Sequence, residues 1–532
     1  MFKSTNPSDF MIKNLSLCLL IQFIILLAGC SSGSDSNQFD LLITNARIVD
    51  GSGGDAFLGE IIVDDGVISE LGSVDTTSRS FLRIIDANER VVSPGFIDTH
   101  SHGNPLDTPR FDNFLSMGVT TISLGQDGSS PGTGNITAWM NDVDSEGTGP
   151  NIIHYIGHNS LRRHVDAPRE ESIDSVLVDE MRELIVQAME DGSFGLTTGL
   201  EYDHGSFAGL EELIAIAEPV AEAGGTVMSH MRNEDEDAIS QSVAELVNQG
   251  LASGANVHAS HLKIVYGDDP QQAEDVLSIM RDAREQEGLR VTADVYPYTA
   301  SYTGISIVFP DWALPPYDYE EVLENRRGEL EEYLNYRIAL RNGPEATLFG
   351  TSPYAGMTLE EVADSLDKPF EDVLIDDIGP NGASAAYFVM DEEVMARFLI
   401  NPFVMVSSDG SPTMWHPRGY GSFARIIRLF VQEQKLLTLE QAVYKMSGLP
   451  AETIGLANRN RVDVPRGLIR EGFAADLLIF EPANVRDEAT YETPHVYAEG
   501  FDWVFVNGVP VLEEGKRNDE RPAGVIRRKV EP

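Results

Sequence analysis

The chain has 532 residues, 42% of them hydrophobic, with 85 acidic against 38 basic side chains and a formal charge of −47. That length allows a large core and more than one folding unit. The charge excludes nucleic acid or an anionic lipid surface as the main partner, and two cysteines exclude a disulfide-built scaffold.

Residues 1–29 read as a lipoprotein signal peptide. Lys3 and Lys13 supply positive charge, and residues 15–28 are nearly all apolar. That run is short for a membrane span and right for a secretory hydrophobic region. It ends Leu27-Ala28-Gly29-Cys30, ahead of the spacer SSGSDSN, so residues 30–38 read as a linker. Small residues before a cysteine resemble a bacterial lipobox. The resemblance implies cleavage before Cys30, lipid on its sulfur, and a cell-envelope anchor facing the periplasm. Ser31 favours the outer membrane. With Cys18 removed and Cys30 lipidated, no thiol remains for catalysis, so any metal site must use nitrogen and oxygen ligands.

Residues 39–92 alternate short apolar runs with turn signals such as Asp-Asp-Gly, and residues 462–532 repeat that texture in ADLLIFEPANV and WVFVNGVPVLEEG. Both ends read as one small β-domain, with residues 93–461 inserted between its halves. The insert alternates strand-like and helix-like segments. Its strand candidates are GFIDTHSH, TTISLGQDG, NIIHYIGH, GSFGLTTGLEY, GGTVMSHMRNE, NVHASHLK, LRVTADVYPY and PFVMVSSDG. Amphipathic stretches at 210–222, 236–249 and 272–287 fall between them. The expected fold is α/β, a TIM-like (β/α)8 barrel whose chemistry sits at the C-terminal strand ends. Residues 302–400 exceed a normal connection; they are expected to hold a helix over 319–342 and to cover the mouth.

The strand ends carry the polar chemistry. His100 and His102, two apart on a strand, project to one side, as a divalent metal requires. The second strand ends in Asp127, the fifth in His230, the sixth in His261 and the eighth in Asp409. Each can bind a metal or move a proton. His158, Arg162 and Tyr202 either line the pocket or pack behind it, and His416 positions the loop that bears Arg418. His154, His164, His204, His258 and His495 are given no role. Acidic runs such as Glu234 to Asp237 read as solvated helix starts.

PGFIDTHSHG, GGTVMSHMRNE, ASHLK, ADVYPYTAS, SSDG followed by HPRGYGSFARI, and AVYKMSGLPAETIGL resemble the amidohydrolase superfamily, in its D-aminoacylase (N-acyl-D-amino-acid deacylase) branch. The similarity spans about residues 39–528. It implies a metal-bearing barrel flanked by a β-sandwich formed by both termini. It also implies that His230 and His261 hold a tight metal, that His100 and His102 can hold a second, and that Asp409 is the catalytic aspartate. Lys263, Tyr296, Ser301 and Arg418 match positions that contact the substrate α-carboxylate, where a cationic fork and hydroxyls suit the task. The chain departs from the branch at Gly125-Gln126-Asp127-Gly128, where many members carry a cysteine. Asp127 is expected to replace it as a ligand and to bridge two metals. Gly103-Asn104 stands where an acidic residue is common.

The resemblance implies hydrolysis of the linear amide of N-acyl-D-amino acids, aided by one or two zinc ions or another divalent metal. The alternatives are a dipeptidase acting on peptides with a C-terminal D-residue, a cyclic-amide hydrolase, and a lipid-anchored binding protein. The cyclic-amide reading is disfavoured because strand 4 lacks a lysine to carbamylate. The partners expected are a small N-acyl amino acid or short peptide and, through Cys30, a membrane.

Overall fold

The computed structural model describes residues 38–529; Cys30 and the signal peptide expected before it lie outside them. Eight short strands form the central barrel: β1 (Phe96–Asp98), β2 (Val119–Leu124), β3 (Asn151–His154, continued by Ile156–Gly157), β4 (Gly195–Gly199), β5 (Thr226–His230), β6 (Asn256–Ala259), β7 (Val291–Val295) and β8 (Val404–Val406). Each pairs in parallel with the next. A parallel bridge between Ser101 and Gly410 joins the β8 end to the β1 end. Its bonds run from Asp409 N–H to His100 O at 2.9 Å and from His102 N–H to Gly410 O at 2.7 Å. The ring is closed by residues of the expected site.

Every residue of β5 is buried, as it must be in a parallel sheet covered by helices. The helix Leu210–Glu222 buries Leu213, Ile216, Ala217 and Val220, one face at helical spacing. The helix expected over 236–249 runs Ile239–Ser253. It starts late because Asp235 pairs with Val265 and Ser242 Oγ donates back to Asn233 O at 2.8 Å, which holds the preceding residues in a loop. Pro270–Gln286 opens on an Asp269 cap with a capping box from Gln272.

The two ends of the chain share one nine-stranded sheet. Antiparallel pairing of Val91–Pro94 with Leu477–Phe480 joins the N- and C-terminal contributions. The edge strand Val67–Gly72 bonds back to Phe473 through Ile68 N–H, and Ala475 N–H reaches Gly66 O. The sheet therefore folds over its own apolar filling, which includes Ile43, Ile61, Ile68, Leu477 and Phe505. This is the sandwich beside the barrel.

Between β7 and β8 the chain builds a three-stranded sheet from Ser301–Gly304, Thr347–Phe349 and Ser384–Tyr387. The helix Tyr319–Leu340 packs beside it, and the unit has its own core around Leu330, Leu334 and Phe349. Among the described residues no helix is long and apolar enough to cross a membrane.

One carboxylate ties the barrel strands together beneath the rim. Asp294, in β7, is fully buried. It accepts bonds from Thr99 Oγ1 after β1 at 2.6 Å, His258 Nε2 of β6 at 2.8 Å, Ser407 Oγ after β8 at 2.9 Å and the His261 backbone N–H at 2.6 Å. Burial alone would raise this carboxyl, but His258 and the other donors hold it well below the usual range. Asp294→Ala strips four donors of their acceptor in a dry interior. The expected loss is about 3–5 kcal/mol, seen as a lower urea midpoint with an unchanged denaturant slope.

Candidate active site

The C-terminal ends of the strands open into a cavity of about 460 Å3. His102, Asp127, His230, His261 and Asp409 line it, while His100 lies fully buried beneath. The rings of His100 and His102 project together, with centroids 5.2 Å apart.

Asp127 sits at the centre of the cluster. Its Oδ1 lies 3.2 Å from His100 Nε2, 3.2 Å from His261 Nε2 and 3.7 Å from His230 Nδ1, and its Oδ2 lies 3.4 Å from His102 Nε2. Asp409 Oδ1 is 3.1 Å from His102 Nε2 and 3.7 Å from His100 Nε2. Among the described residues three groups of potential ligands result, and two of them overlap at Asp127: His100, His102, Asp127 and Asp409, and Asp127, His230 and His261; the third is Glu201, His230 and Glu234.

The donor set fits a divalent ion. Both ring nitrogens of His100 are buried without a hydrogen bond, and His230 Nδ1 faces His261 Nε2 at 2.9 Å. Imidazole nitrogens directed at a common point suit a cation better than each other. Tetrahedral zinc ligands at about 2.0–2.2 Å stand roughly 3.3–3.6 Å apart, close to the spacings around Asp127 Oδ1.

The backbone holds these groups at a conformational cost. Asp127, His261 and Asp409 have φ of 54°, 37° and 48°, in the left-handed region that side chains disfavour. A Cβ on Gly125 would meet Tyr155 O at 2.0 Å, and one on Gly128 would meet Asn159 Oδ1 at 2.0 Å. The turn that presents Asp127 thus needs glycine on both sides. Gln126 Nε2 fixes it further, donating to Thr99 O at 3.1 Å and Ser123 Oγ at 2.6 Å.

Burial favours the neutral form of His100 and lowers its pKa. Burial opposes charge on His102 as well, yet Asp127 and Asp409 push it up to about 9. Asp409 would be raised by burial, but Arg418 and the histidines hold it well below the ordinary carboxylate range. Metal ligands must lose their protons, so metal affinity falls as the pH drops.

The residues matched to α-carboxylate binding form the adjoining wall: Lys263, Tyr296, Ser301 and Arg418 all line the cavity. Arg418 Nη1 lies 2.9 Å from Asp409 Oδ2, and its guanidinium covers the Tyr296 ring at 4.6 Å. His416 is buried and anchors the loop, accepting from Arg418 N–H at 3.0 Å, with its Nε2 3.1 Å from Ala300 O. Lys263 Nζ donates to both oxygens of Glu234 at 2.7 Å.

One sequence reading changes, one open alternative is decided, and one histidine left without a role gains a partner. Glu234 is not solvated; it is 5% exposed, and it reaches His261 Nδ1 at 3.2 Å as well as Lys263. The loop after β5 turns back under Val265, whose N–H bonds to Glu234 O, and so takes this carboxylate inside. His158 and Arg162 pack behind the pocket, where Glu212 meets them at 2.7 and 2.9 Å; their neighbours Asn159 and Arg163 line the cavity instead. His258, given no role, is the buried partner of Asp294. Sequence reasoning also missed Glu201, which lies 3.0 Å from His230 Nε2. Its signal was its position two residues beyond the end of β4, where the barrel rule locates chemistry. Tyr202, next to it, lines the cavity.

A parallel barrel bearing histidine and aspartate ligands at its C-terminal rim, beside a sandwich built from both chain ends, defines a metal-dependent amidohydrolase. No family model matches the chain. An N-acyl-D-aspartate deacylase of Alcaligenes xylosoxydans xylosoxydans is 30% identical over 515 residues, covering 92% of this chain and 95% of the relative. The crystal structure of N-acyl-D-glutamate deacylase from Bordetella bronchiseptica, complexed with zinc and a phosphonate mimic of the tetrahedral intermediate, superposes with a TM-score of 0.79 at 29% identity, covering 92% of this chain and all of that one. A D-aminoacylase structure concerned with a binuclear metal centre, one-metal activation and second-metal attenuation gives 0.78 at 28% identity, with coverage of 92% and 100%. The chain belongs to the D-aminoacylase (N-acyl-D-amino-acid deacylase) family of amidohydrolases.

The shared position of Asp127 sets a metal-content prediction. Anaerobically purified protein is expected to hold close to two metals per chain, and Asp127→Ala to weaken both sites. Asp127→Cys offers a softer ligand with a longer zinc bond, about 2.3 Å against about 2.1 Å, and is expected to keep one tight metal at His230 and His261. Unchanged metal content in both variants would remove Asp127 from the ligand set.

Proposed function

We propose that this protein hydrolyses the linear amide of N-acyl-D-amino acids, releasing a carboxylate and a free D-amino acid. The observation that carries this reading is the meeting of five potential metal ligands with Asp409 at one barrel rim, beside Lys263, Tyr296, Ser301 and Arg418. The substrate class and its stereochemistry draw support from the activities of the relatives.

His230, His261 and Asp127 would hold the tighter ion, with His100, His102 and Asp127 holding a second. Bound there, zinc lowers the pKa of water toward neutrality and polarises a carbonyl oxygen. Asp409, kept ionised by Arg418 and the histidines, accepts the proton of the attacking water. A carboxylate that acidic is a weak base toward free water and a strong acid once protonated. It therefore returns the proton readily to the leaving amine. The unpaired Nε of Arg418, the Tyr296 and Ser301 hydroxyls and the Lys263 ammonium orient the substrate carboxylate, so that its amide lies toward Asp409. Glu201 and Glu234, bonded to the outward nitrogens of His230 and His261, fix those rings and raise their basicity as ligands.

Asp409→Asn is expected to keep its metal and lose about 10²-fold or more in kcat. It should be assayed on a panel of N-acetyl-D-amino acids, their L-enantiomers and dipeptides ending in a D-residue. Wild-type turnover of the L-series alone, or of dipeptides alone, would reject the substrate class. Full activity in Asp409→Asn would reject its role.

We further propose that the protein is anchored in the cell envelope, facing the periplasm at the outer membrane, through lipid on Cys30. The support is the apolar run of residues 15–28 ending in Leu27-Ala28-Gly29-Cys30. Cys30→Ala is expected to abolish metabolic labelling with a radioactive fatty acid and to free the protein from membranes; persistent labelling would overturn the assignment.

A further inference from the structure

In a chain with 85 acidic and 38 basic residues, a buried cation without a carboxylate needs a reason. Arg341 is 1% exposed. Its Nε and Nη1 are buried with no hydrogen-bond partner, and among the described residues no ion pair reaches its side chain. It lines the same cavity as the metal cluster.

The other cations of that wall are already engaged. Lys263 is paired with Glu234, and Arg418 with Asp409. Arg163 is exposed and bonds to Ser160 Oγ. Asp235, which also lines the cavity, is taken by Arg337 at 3.1 Å. Arg341 alone among these has no ion-pair partner; Asp235 acts on it only at longer range, and a buried guanidinium without a carboxylate in contact is unfavourable.

Arg341 is also held rigidly. It ends the helix Tyr319–Leu340, with its N–H bonded to Arg337 O and Ile338 O. Its guanidinium covers the Tyr387 ring at 4.8 Å and the Tyr266 ring at 5.8 Å. Tyr387 is the cross-strand partner of Ser301, and Tyr266 lies three residues beyond Lys263. Tyr387 in the sheet and Tyr266 in the chain thus tie Arg341 to residues matched to the α-carboxylate, on the amino-acid side of the cavity. A stacked, preorganised fork is suited to a planar carboxylate.

Given the deacylase activity proposed above, we infer that Arg341 binds a second carboxylate of the substrate, on the side chain of an acidic N-acyl-D-amino acid. The insertion between β7 and β8, which contributes lining residues to the cavity, would thus supply the specificity-determining residue, while the barrel supplies the chemistry.

The test compares metal-loaded wild type, Arg341→Met and Arg341→Lys on N-acetyl-D-glutamate, N-acetyl-D-leucine and N-succinyl-D-leucine, with thermal melts of each variant. Wild type is expected to favour N-acetyl-D-glutamate over N-acetyl-D-leucine by tenfold or more in kcat/KM. Arg341→Met should raise KM for the glutamate substrate about 30-fold, the size of one charge-assisted pair, with kcat little changed and the leucine substrate within about twofold. Arg341→Lys should fall between. If Arg341→Met does not fold, the lysine variant decides: its KM must rise more for glutamate than for leucine. Equal losses on all three substrates overturn the inference, as does a loss confined to the succinyl substrate, which puts the anion on the acyl side. Normal cleavage of N-acetyl-D-leucine with no Arg341 effect on glutamate overturns this inference alone. A wild type inert toward every N-acyl-D-amino acid removes the deacylase function and this inference together.

Discussion

Beneath the metal cluster, the barrel depends on one buried negative charge being fully answered. Asp294 has no water to lean on, so its two oxygens must take their bonds from the protein, and they draw on Thr99, His258, His261 and Ser407. Those donors lie on or just past β1, β6 and β8, while the acceptor sits in β7. The bond to the His261 backbone has a second effect, because it pins a residue with φ of 37°. In that conformation the ring of this candidate ligand lies against Asp127 and His230. Electrostatic satisfaction in the core is thereby converted into ligand geometry at the rim.

The same economy appears in the turn after β2. Gly125 and Gly128 admit the close approach of Tyr155 O and Asn159 Oδ1, and between them Asp127 occupies a left-handed position. Three strained residues in one cavity are hard to explain as packing, because each could relax if nothing were gained. Their common feature is a side chain directed at the same point. Strain here accompanies preorganisation, with the fixed backbone meeting the cost before any ion or substrate arrives.

Much of this was legible in the residues. Each barrel strand announced itself as an apolar run, and the site residues stood at the far ends of those runs, where period-two geometry and the barrel rule locate chemistry. His100 and His102 became readable once other strand ends supplied further candidate ligands to go with their spacing. What stayed hidden depended on tertiary folding. Glu234 reads as one of four acidic neighbours, and only the loop returning under Val265 takes it indoors. Asp294 is one of two polar letters, with Thr292, in the strand VTADV, and nothing local distinguishes a hub from an exposed residue. Arg341 closes a helix whose charged residues look solvent-facing; its burial follows from the small sheet that the insertion builds. The helix over 236–249 began later than its amphipathic pattern implied, because that same loop claimed the first residues.

The seam between β1 and β8 has a consequence for how the molecule comes into being. His102 and Asp409 stand 307 positions apart in the chain and share the hydrogen bonds that close the ring. Such a contact pays a large loop-closure entropy, and structures rich in distant pairings form slowly. A chain folded only through β7 has placed both histidine pairs and Asp127, yet the carboxylate matched to catalysis and the strand that shuts the barrel are still undocked. Assembly of the candidate metal cluster can thus precede competence, and the last strand to dock brings Asp409 to the rim.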